Sequence, residues 1–200
     1  MIGIIKYQAG NLTSVSNALK RLEADHFISD DPDDLEKAAG IIFPGVGHAG
    51  AAMDDLRSRD LDVWLKNTEK PVLGICLGMQ LLFESSEEGD STTLGLIPGK
   101  LRKFDSSKAK VPHMGWNQFD PLIDHPLISG IDSKQFLYYV HGYYAPANDH
   151  TLATCSYINE FAAVVAKDNF LGVQFHPEKS GAVGSLILQN FLDLVKNNRP

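Results

Sequence analysis

Cys76 sits in "GICLG", with Gly74 two positions before it and Gly78 two positions after. A short apolar run, "VLGIC", ends there, and a segment of helical spacing, "LGMQLLF", begins. This is the plan of a nucleophile elbow: a strand turns abruptly into a helix, the nucleophile takes a strained conformation, and small neighbours let the adjoining chain approach. The N–H groups and positive dipole end of the helix favour thiolate over thiol. The amide of Leu77 is a candidate oxyanion donor. Taken alone, G-x-C-x-G is a weak pattern, since glycine is common and a buried cysteine is usually inert packing.

A second group strengthens it. "GVQFHPE" ends an apolar run with His176 and Glu178 two apart, and residues i and i+2 of an extended segment point the same way. Pro177 disfavours helix at His176. An imidazole with a carboxylate beside it has the makings of a general base with its orienting partner, completing a Cys, His, Glu triad, although such a pair alone is more often a surface histidine beside a solvated acid. The third group is "FPGVG", where the glycines leave backbone amides uncovered, as an oxyanion hole requires, although a plain turn would look similar. In a parallel α/β sheet all these groups fall at the carboxyl ends of strands, where such folds place their sites.

The elements that must position them follow from periodicity. "IGIIKY" and "GIIFPG" are short and β-branched and end in turn residues, so both are expected as strands. Between them "NLTSVSNALKRLEA" puts Leu12, Val15, Leu19 and Leu22 on one helical face, with Asn11 as the expected N-cap and "HFISD" as a short strand after it. "LDVWLKNT" is helical and leads to "PVLGIC". This βαβ order predicts a parallel sheet covered on both faces. The second half is strand-rich, with "LIPGKLRKF", "WNQF", "QFLYYVHGYYA" and "TLATCSY" in turn. In "FAAVVAKDNFLGVQFHPE" the pair Asp168 and Asn169 marks a hairpin. "AVGSLILQNFLDLV" carries a helical stripe of Val183, Ile187, Phe191 and Leu194. The expectation is one α/β domain over residues 1–200, with a mixed, mainly parallel sheet flanked by helices.

Composition narrows the function classes. The chain has 200 residues, 44% hydrophobic and 22% charged, enough for one good core. A formal charge of -7 leaves no basic surplus for nucleic acid or an anionic membrane. The dense basic stretch "KLRKF" is expected as a solvated strand face. Two cysteines are too few for a disulfide framework, and Cys155 reads as an ordinary strand residue. No signal peptide is expected, and no apolar run reaches the roughly 18 residues of a spanning helix, so the protein is expected to be cytoplasmic. "VPHMGW", "DHP", "VHGY" and "FHPE" each hold one histidine with no ligand spacing, so no metal or other cofactor is expected.

Together, "GICLGMQ", "FPGVG" and "GVQFHPE" resemble the class I (triad) glutamine amidotransferases, in the family's order and from the first strand to the last helix. The resemblance implies a flavodoxin-like α/β fold and glutamine hydrolysis through a cysteine thioester. By position it implies Cys76 as nucleophile, His176 as acid and base, and Glu178 as its orienting partner. Gly45, Val46 and Gly47 match the oxyanion segment, and Gln80, Gly142 and Tyr143 the glutamine pocket. The slot of Gly142 often holds a hydroxyl residue in relatives, so any contact there comes from backbone.

"YQAGNLTSV", "VPHMGWN", "LYYVHGYYA" and "HPEKSG" are similar to one branch of that family, the glutaminase subunits that serve imidazole glycerol phosphate synthases of histidine biosynthesis. That similarity implies, as partner, a (β/α)8-barrel cyclase subunit met through Tyr138 and Lys179. Free ammonia in neutral water is protonated and no longer nucleophilic, so it must be passed on without exposure. Alternatives at this level are an amidotransferase subunit of pyridoxal phosphate or anthranilate synthesis, a glutaminase-like binding module, and a cysteine hydrolase acting on peptides.

Overall fold

A computed structural model describes residues 1–8, 11–121 and 123–197; Ala9 and Gly10 of "YQAGNLTSV" lie outside them. β1 (Ile2–Ile5) leads through α1 (Leu12–Arg21) to β2 (His26–Ser29), and α2 (Pro32–Leu35) leads to β3 (Gly40–Gly45). Helices α3 (Ala49–Ser58) and α4 (Leu61–Asn67) then lead to β4 (Val72–Cys76), which passes directly into α5 (Leu77–Leu81). Residues of β1, β3 and β4 are buried throughout, which is why they read as continuous apolar runs without polar alternation.

After the short strands β5 (Ser85–Ser86) and β6 (Ser91–Thr92) come β7 (Lys100–Lys103), β8 (His113–Asn117), β9 (Asp120–Pro121), β10 (Leu137–His141) and β11 (Tyr143–Tyr144). β12 (Thr151–Tyr157), β13 (Asn159–Lys167) and β14 (Phe170–Val173) follow, and α6 (Gly181–Asn197) is the last helix. The main sheet runs β2-β1-β3-β4-β14-β13-β12-β9. From β2 to β14 neighbours are parallel, and from β14 to β9 antiparallel. A mixed, mainly parallel sheet flanked by helices is therefore the architecture, as the βαβ order of the first half and the strand-rich second half together predict.

Period two sorts the strand side chains onto two cores. Ile4, Ile42, Leu73 and Ile75 pack with α1 and α6 through Val15, Leu19, Ile187 and Phe191. Ile5, Ile41, Phe43 and Val72 pack on the other face with Met53 and Leu56 of α3 and with Leu61 and Leu65 of α4. Each fully buried side chain of this kind stabilises the fold by about 1.5–3 kcal/mol, and both faces must be covered before the inner strands are stable.

Several expectations need correction. Helix α3 has no counterpart in the sequence reading, because Ala49, Ala52, Met53 and Leu56 are its buried positions and alanine carries little apolar signal. "QFLYYVHGYYA" is two strands in different sheets: β10 pairs with β8, whereas β11 pairs with β7, and Gly142 separates them. Of "WNQF" only Trp116 and Asn117 are strand, the end of β8, which starts at His113. Asn11 stands at the N-cap of α1 but its side chain caps nothing. "KLRKF" fits its expected character, since Arg102 and Lys103 of β7 are exposed and Arg102 pairs with Glu87 at 2.8 Å.

Candidate active site

Cys76 is both the last residue of β4 and the residue that starts α5, with φ 54° and ψ −108°. A non-glycine residue there stores about 1–3 kcal/mol of strain and persists only where its surroundings enforce it. They do so by backbone-to-backbone packing. A Cβ on Gly78 would collide with the Phe43 carbonyl oxygen of β3, and one on Gly74 would stand 2.7 Å from the Met79 nitrogen. Larger residues at either place would push α5 off the sheet and unbend the elbow. The glycine spacing read from sequence thus has a steric cause.

The Cys76 side chain is 5% exposed, and its sulfur lies 3.7 Å from the Val140 carbonyl and 3.7 Å from Nε2 of Gln174. β14 lies beside β4 with Val173 opposite Ile75. The chain beyond β14 therefore arrives next to the elbow carrying His176, which is 1% exposed. The His176 N–H donates to the Tyr138 carbonyl at 2.8 Å, and Nδ1 lies 2.8 Å from Oε1 of the buried Glu178. A carboxylate oxygen can only accept here, so Nδ1 carries the proton.

Nε2 of His176 makes no hydrogen bond, yet it is close enough to the Cys76 sulfur to feel its charge. Burial alone pushes the imidazole pKa down; the sulfur and the Glu178 carboxylate outweigh it and raise it to about 10. An imidazole held ready to carry a proton beside a sulfur is what nucleophilic attack on a carbonyl, followed by protonation of the leaving group, requires.

A cleft of about 270 Å³ opens over the sulfur, lined by Val46, Gly47, Leu77, Gln80, Gly142 and Tyr143 among others. That is below the roughly 300–1,000 Å³ of pockets for drug-sized ligands, so the cleft suits a small molecule. A larger hollow of about 660 Å³ lies between the Pro126–Ile128 turn and α6, but no cysteine lines it.

Gly45 ends β3, paired with Cys76 across the sheet. Gly47 has φ 107°, and Val46 between them is partly exposed. Gln80 spends both amide hydrogens internally, on the Tyr143 carbonyl and on Oε1 of Gln174, each at 2.9 Å, which leaves its carbonyl oxygen for anything else. Tyr143 enters through its backbone. At Gly142 the nearest atom to an added Cβ would be Val111 Cγ1 at 3.7 Å, so a side chain would fit although none is present.

Tyr138 and Lys179 lie on the outer side of this cluster. The Lys179 ammonium is 5.8 Å from the centre of the Tyr138 ring, and that ring packs 6.5 Å from the imidazole of His176. In the β8–β10 ribbon Trp116 stands opposite Tyr138 and Met114 opposite Val140. Trp116 and Met114 are 56% and 63% exposed, so an apolar surface begins where the site ends.

Sequence reasoning missed other side chains of this region. Glu88 lines the cleft and accepts from the Ala49 N–H at 2.7 Å, at the start of α3; in "SSEEGDS" nothing distinguishes it from a solvated loop acid. Asn11 donates to Oε1 of Glu178 at 3.2 Å, where a helix cap was expected. Gln174 is wholly buried, and one polar residue inside the apolar end of "FLGVQF" was the available clue. Among the described residues no group of His, Cys, Asp or Glu is placed to hold a metal, and no helix is long and apolar enough to cross a membrane.

Comparison with known proteins shows the family. The family model "Glutamine amidotransferase class-I" matches residues 5–195. An imidazole glycerol phosphate synthase subunit HisH from Shewanella sediminis is 46% identical over 198 residues, covering 96% of this chain and 90% of that protein. The subunit HisH of Bacteroides thetaiotaomicron is 46% identical over 195 residues, covering 96% and 99%. Among solved structures, a glutamine amidotransferase aligns with TM-score 0.76 at 16% identity, covering 98% of each chain. PurLQS from Thermotoga maritima aligns with TM-score 0.70 at 20% identity, covering 97% and 98%; at such identities the likeness is one of fold. A match over nearly the whole chain, in both sequence and fold, makes this protein a member of the class I glutamine amidotransferase family.

Proposed function

We propose that the protein is the glutaminase subunit of an imidazole glycerol phosphate synthase. The observation that carries this is 46% identity, over nearly the full length of both chains, to synthase subunits HisH. The cleft geometry supports the chemistry. The Cys76 thiolate attacks the carboxamide carbon of glutamine, and backbone amides in the Gly45–Val46–Gly47 segment and at Leu77 hold the oxyanion that forms. Nε2 of His176, which holds the proton taken from the Cys76 thiol, passes it to the departing nitrogen, so ammonia leaves and a glutamyl thioester remains. Water attacks the thioester as His176 takes its proton, and glutamate leaves with the thiolate restored. Glu178 holds the imidazole tautomer. Gln80, with its free acceptor oxygen, and Glu88, with its carboxylate, both line the cleft, a pairing suited to the α-ammonium group of an amino acid.

The ammonia passes to a (β/α)8-barrel cyclase subunit, which forms imidazole glycerol phosphate and an aminoimidazole carboxamide ribotide. Its docking surface includes Tyr138, Lys179 and the exposed Met114 and Trp116. A cytoplasmic location accords with a biosynthetic role.

The test is synthesis by the purified pair of subunits with the cyclase's nucleotide substrate. Cys76→Ala should lose glutamine-dependent product formation and keep formation from added ammonium salts. Loss of both, or glutamine hydrolysis that no cyclase stimulates, would refute the assignment.

A further inference from the structure

The side chain of Gln174 is 0% exposed, and its amide joins two parts of the site. Oε1 accepts from Gln80 Nε2 at 2.9 Å, and its own Nε2 points at the Cys76 sulfur at 3.7 Å. Which end of a buried amide is nitrogen is ordinarily a matter of assignment. Here a single group decides it. The Tyr143 carbonyl can only accept, so the Gln80 atom facing it at 2.9 Å is nitrogen. That nitrogen also faces Gln174, so the Gln174 atom it meets is oxygen. The atom of Gln174 on the sulfur is then its N–H₂.

The same carbonyl fixes a second branch. His141 Nδ1 lies 2.8 Å from the Tyr143 oxygen and must donate to it. His141 Nε2 then accepts from His113 Nδ1 at 3.1 Å, and His113 Nε2 accepts from Asn117 Nδ2 at 3.4 Å. Burial keeps both imidazoles neutral, as this pattern demands. Every donor is thereby oriented in one direction, with no freedom for Gln174 to turn its oxygen to the sulfur.

We propose that Gln174 is a further catalytic residue, whose side-chain amide donates to the Cys76 sulfur and holds it as a thiolate aimed into the cleft. This rests on the glutaminase assignment for its consequence and on the hydrogen-bond chain for its cause. A hydrogen bond donated to the charged form of a group favours that form. Gln174 supplies one without adding a competing charge beside His176. Through Gln80 the donor is also tied to the cleft wall, so the group that holds the nucleophile and the group that meets substrate are set together.

The experiment is the pH profile of iodoacetamide alkylation of the full chain, with glutamine turnover measured in the complex with its cyclase. Cys155 is buried, and its thiol is pushed up to about 12 by that burial, so alkylation reports on Cys76, with Cys76→Ala as the blank. His176 and Tyr7 are the titratable side chains that feel the charge on the sulfur, and neither is altered. In Gln174→Met the midpoint of alkylation should rise by about one pH unit, a tenfold change in the thiol–thiolate equilibrium. Turnover should fall by a similar factor with KM changed less than about threefold. If the midpoint stays and only KM rises, Gln174 merely shapes the pocket and the proposal is overturned. Should Gln174→Met not fold by circular dichroism, the near-isosteric Gln174→Glu decides, since it keeps an acceptor for Gln80 and turns an oxygen to the sulfur. Its midpoint should also rise, and an unchanged midpoint overturns the proposal. Because alkylation needs no turnover, the outcome stands even if the protein proves not to hydrolyse glutamine.

Discussion

The side-chain nitrogen of Asn11 donates to Oε1 of Glu178 at 3.2 Å, across 167 positions of sequence. The same oxygen faces the ring of His176 at 2.8 Å, so Asn11 and His176 hold one carboxylate from two sides. The opposite oxygen, Oε2, is buried without a partner. Removing Asn11 leaves Glu178 with one donor, and a hydrogen bond to a charged group is worth about 1.5–3 kcal/mol. Asn11→Ala should therefore lower kcat for glutamine about tenfold with KM little changed, while Asn11→Asp should do worse by placing a second carboxylate there. Steady-state kinetics in the complex checks this; unchanged kcat would mean that Glu178 needs no second support.

Glycine at the elbow is a steric requirement, whereas glycine in the cleft wall is not. A Cβ at position 78 meets the Phe43 carbonyl, and one at 142 meets only ordinary contact distances. Gly78→Ala should thus cost about 1–3 kcal/mol of stability and most activity, because α5 must move. Gly142→Ser should fold with an unchanged Tm. Thermal unfolding of the two variants is the measurement, and equal loss in both would contradict the geometry.

Glu88 serves two neighbours at once, the Ala49 N–H and the cleft. Gln in its place keeps an acceptor oxygen for Ala49 but removes the charge offered to a bound ammonium. Glu88→Gln should raise KM for glutamine about tenfold, the value of a charge-assisted hydrogen bond near the low end of its range, with kcat within about threefold. A fall in kcat at constant KM would instead mean that Glu88 acts through the start of α3.

His113 and His141 are buried mainly against water, which lowers their pKa values to about 4 and about 3 from an ordinary 6.5. The unfolded chain binds these protons more readily than the folded one, so stability is present at neutral pH and is lost as pH falls. The window runs from about 6.5 down to 4 for His113 and 3 for His141. Urea unfolding of the wild type should show midpoints dropping through that window, with a shallower drop in His113→Gln. Parallel curves for the two proteins would show that His113 is not buried neutral.

Much of this protein was legible in its sequence because the decisive signals are local. "GIIFPG" and "VLGIC" read as inner strands since both faces of β3 and β4 are buried and every position is therefore apolar or small. Gly74, Cys76 and Gly78 read as an elbow because the two small residues stand two positions either side of the bend, although the clash that demands glycine at 78 comes from the Phe43 carbonyl of the neighbouring strand. His176 and Glu178 read as a pair because an extended chain aligns residues two apart, and the structure holds them at 2.8 Å. By contrast, α3 rests on alanines whose burial comes only from tertiary packing against α4, α5 and the sheet. The break at Gly142 depends on two different sheets competing for one run of aromatic residues. Asn11, Glu88 and Gln174 are polar residues whose partners lie 167, 39 and 98 positions away. No local pattern encodes such a contact, because a polar side chain has the same sequence signature whether it meets water or a buried carboxylate. Local sterics and periodicity settled the strands, the elbow and the His–Glu pair; the parallel sheet, by laying β4 beside β14, decided what surrounds the sulfur.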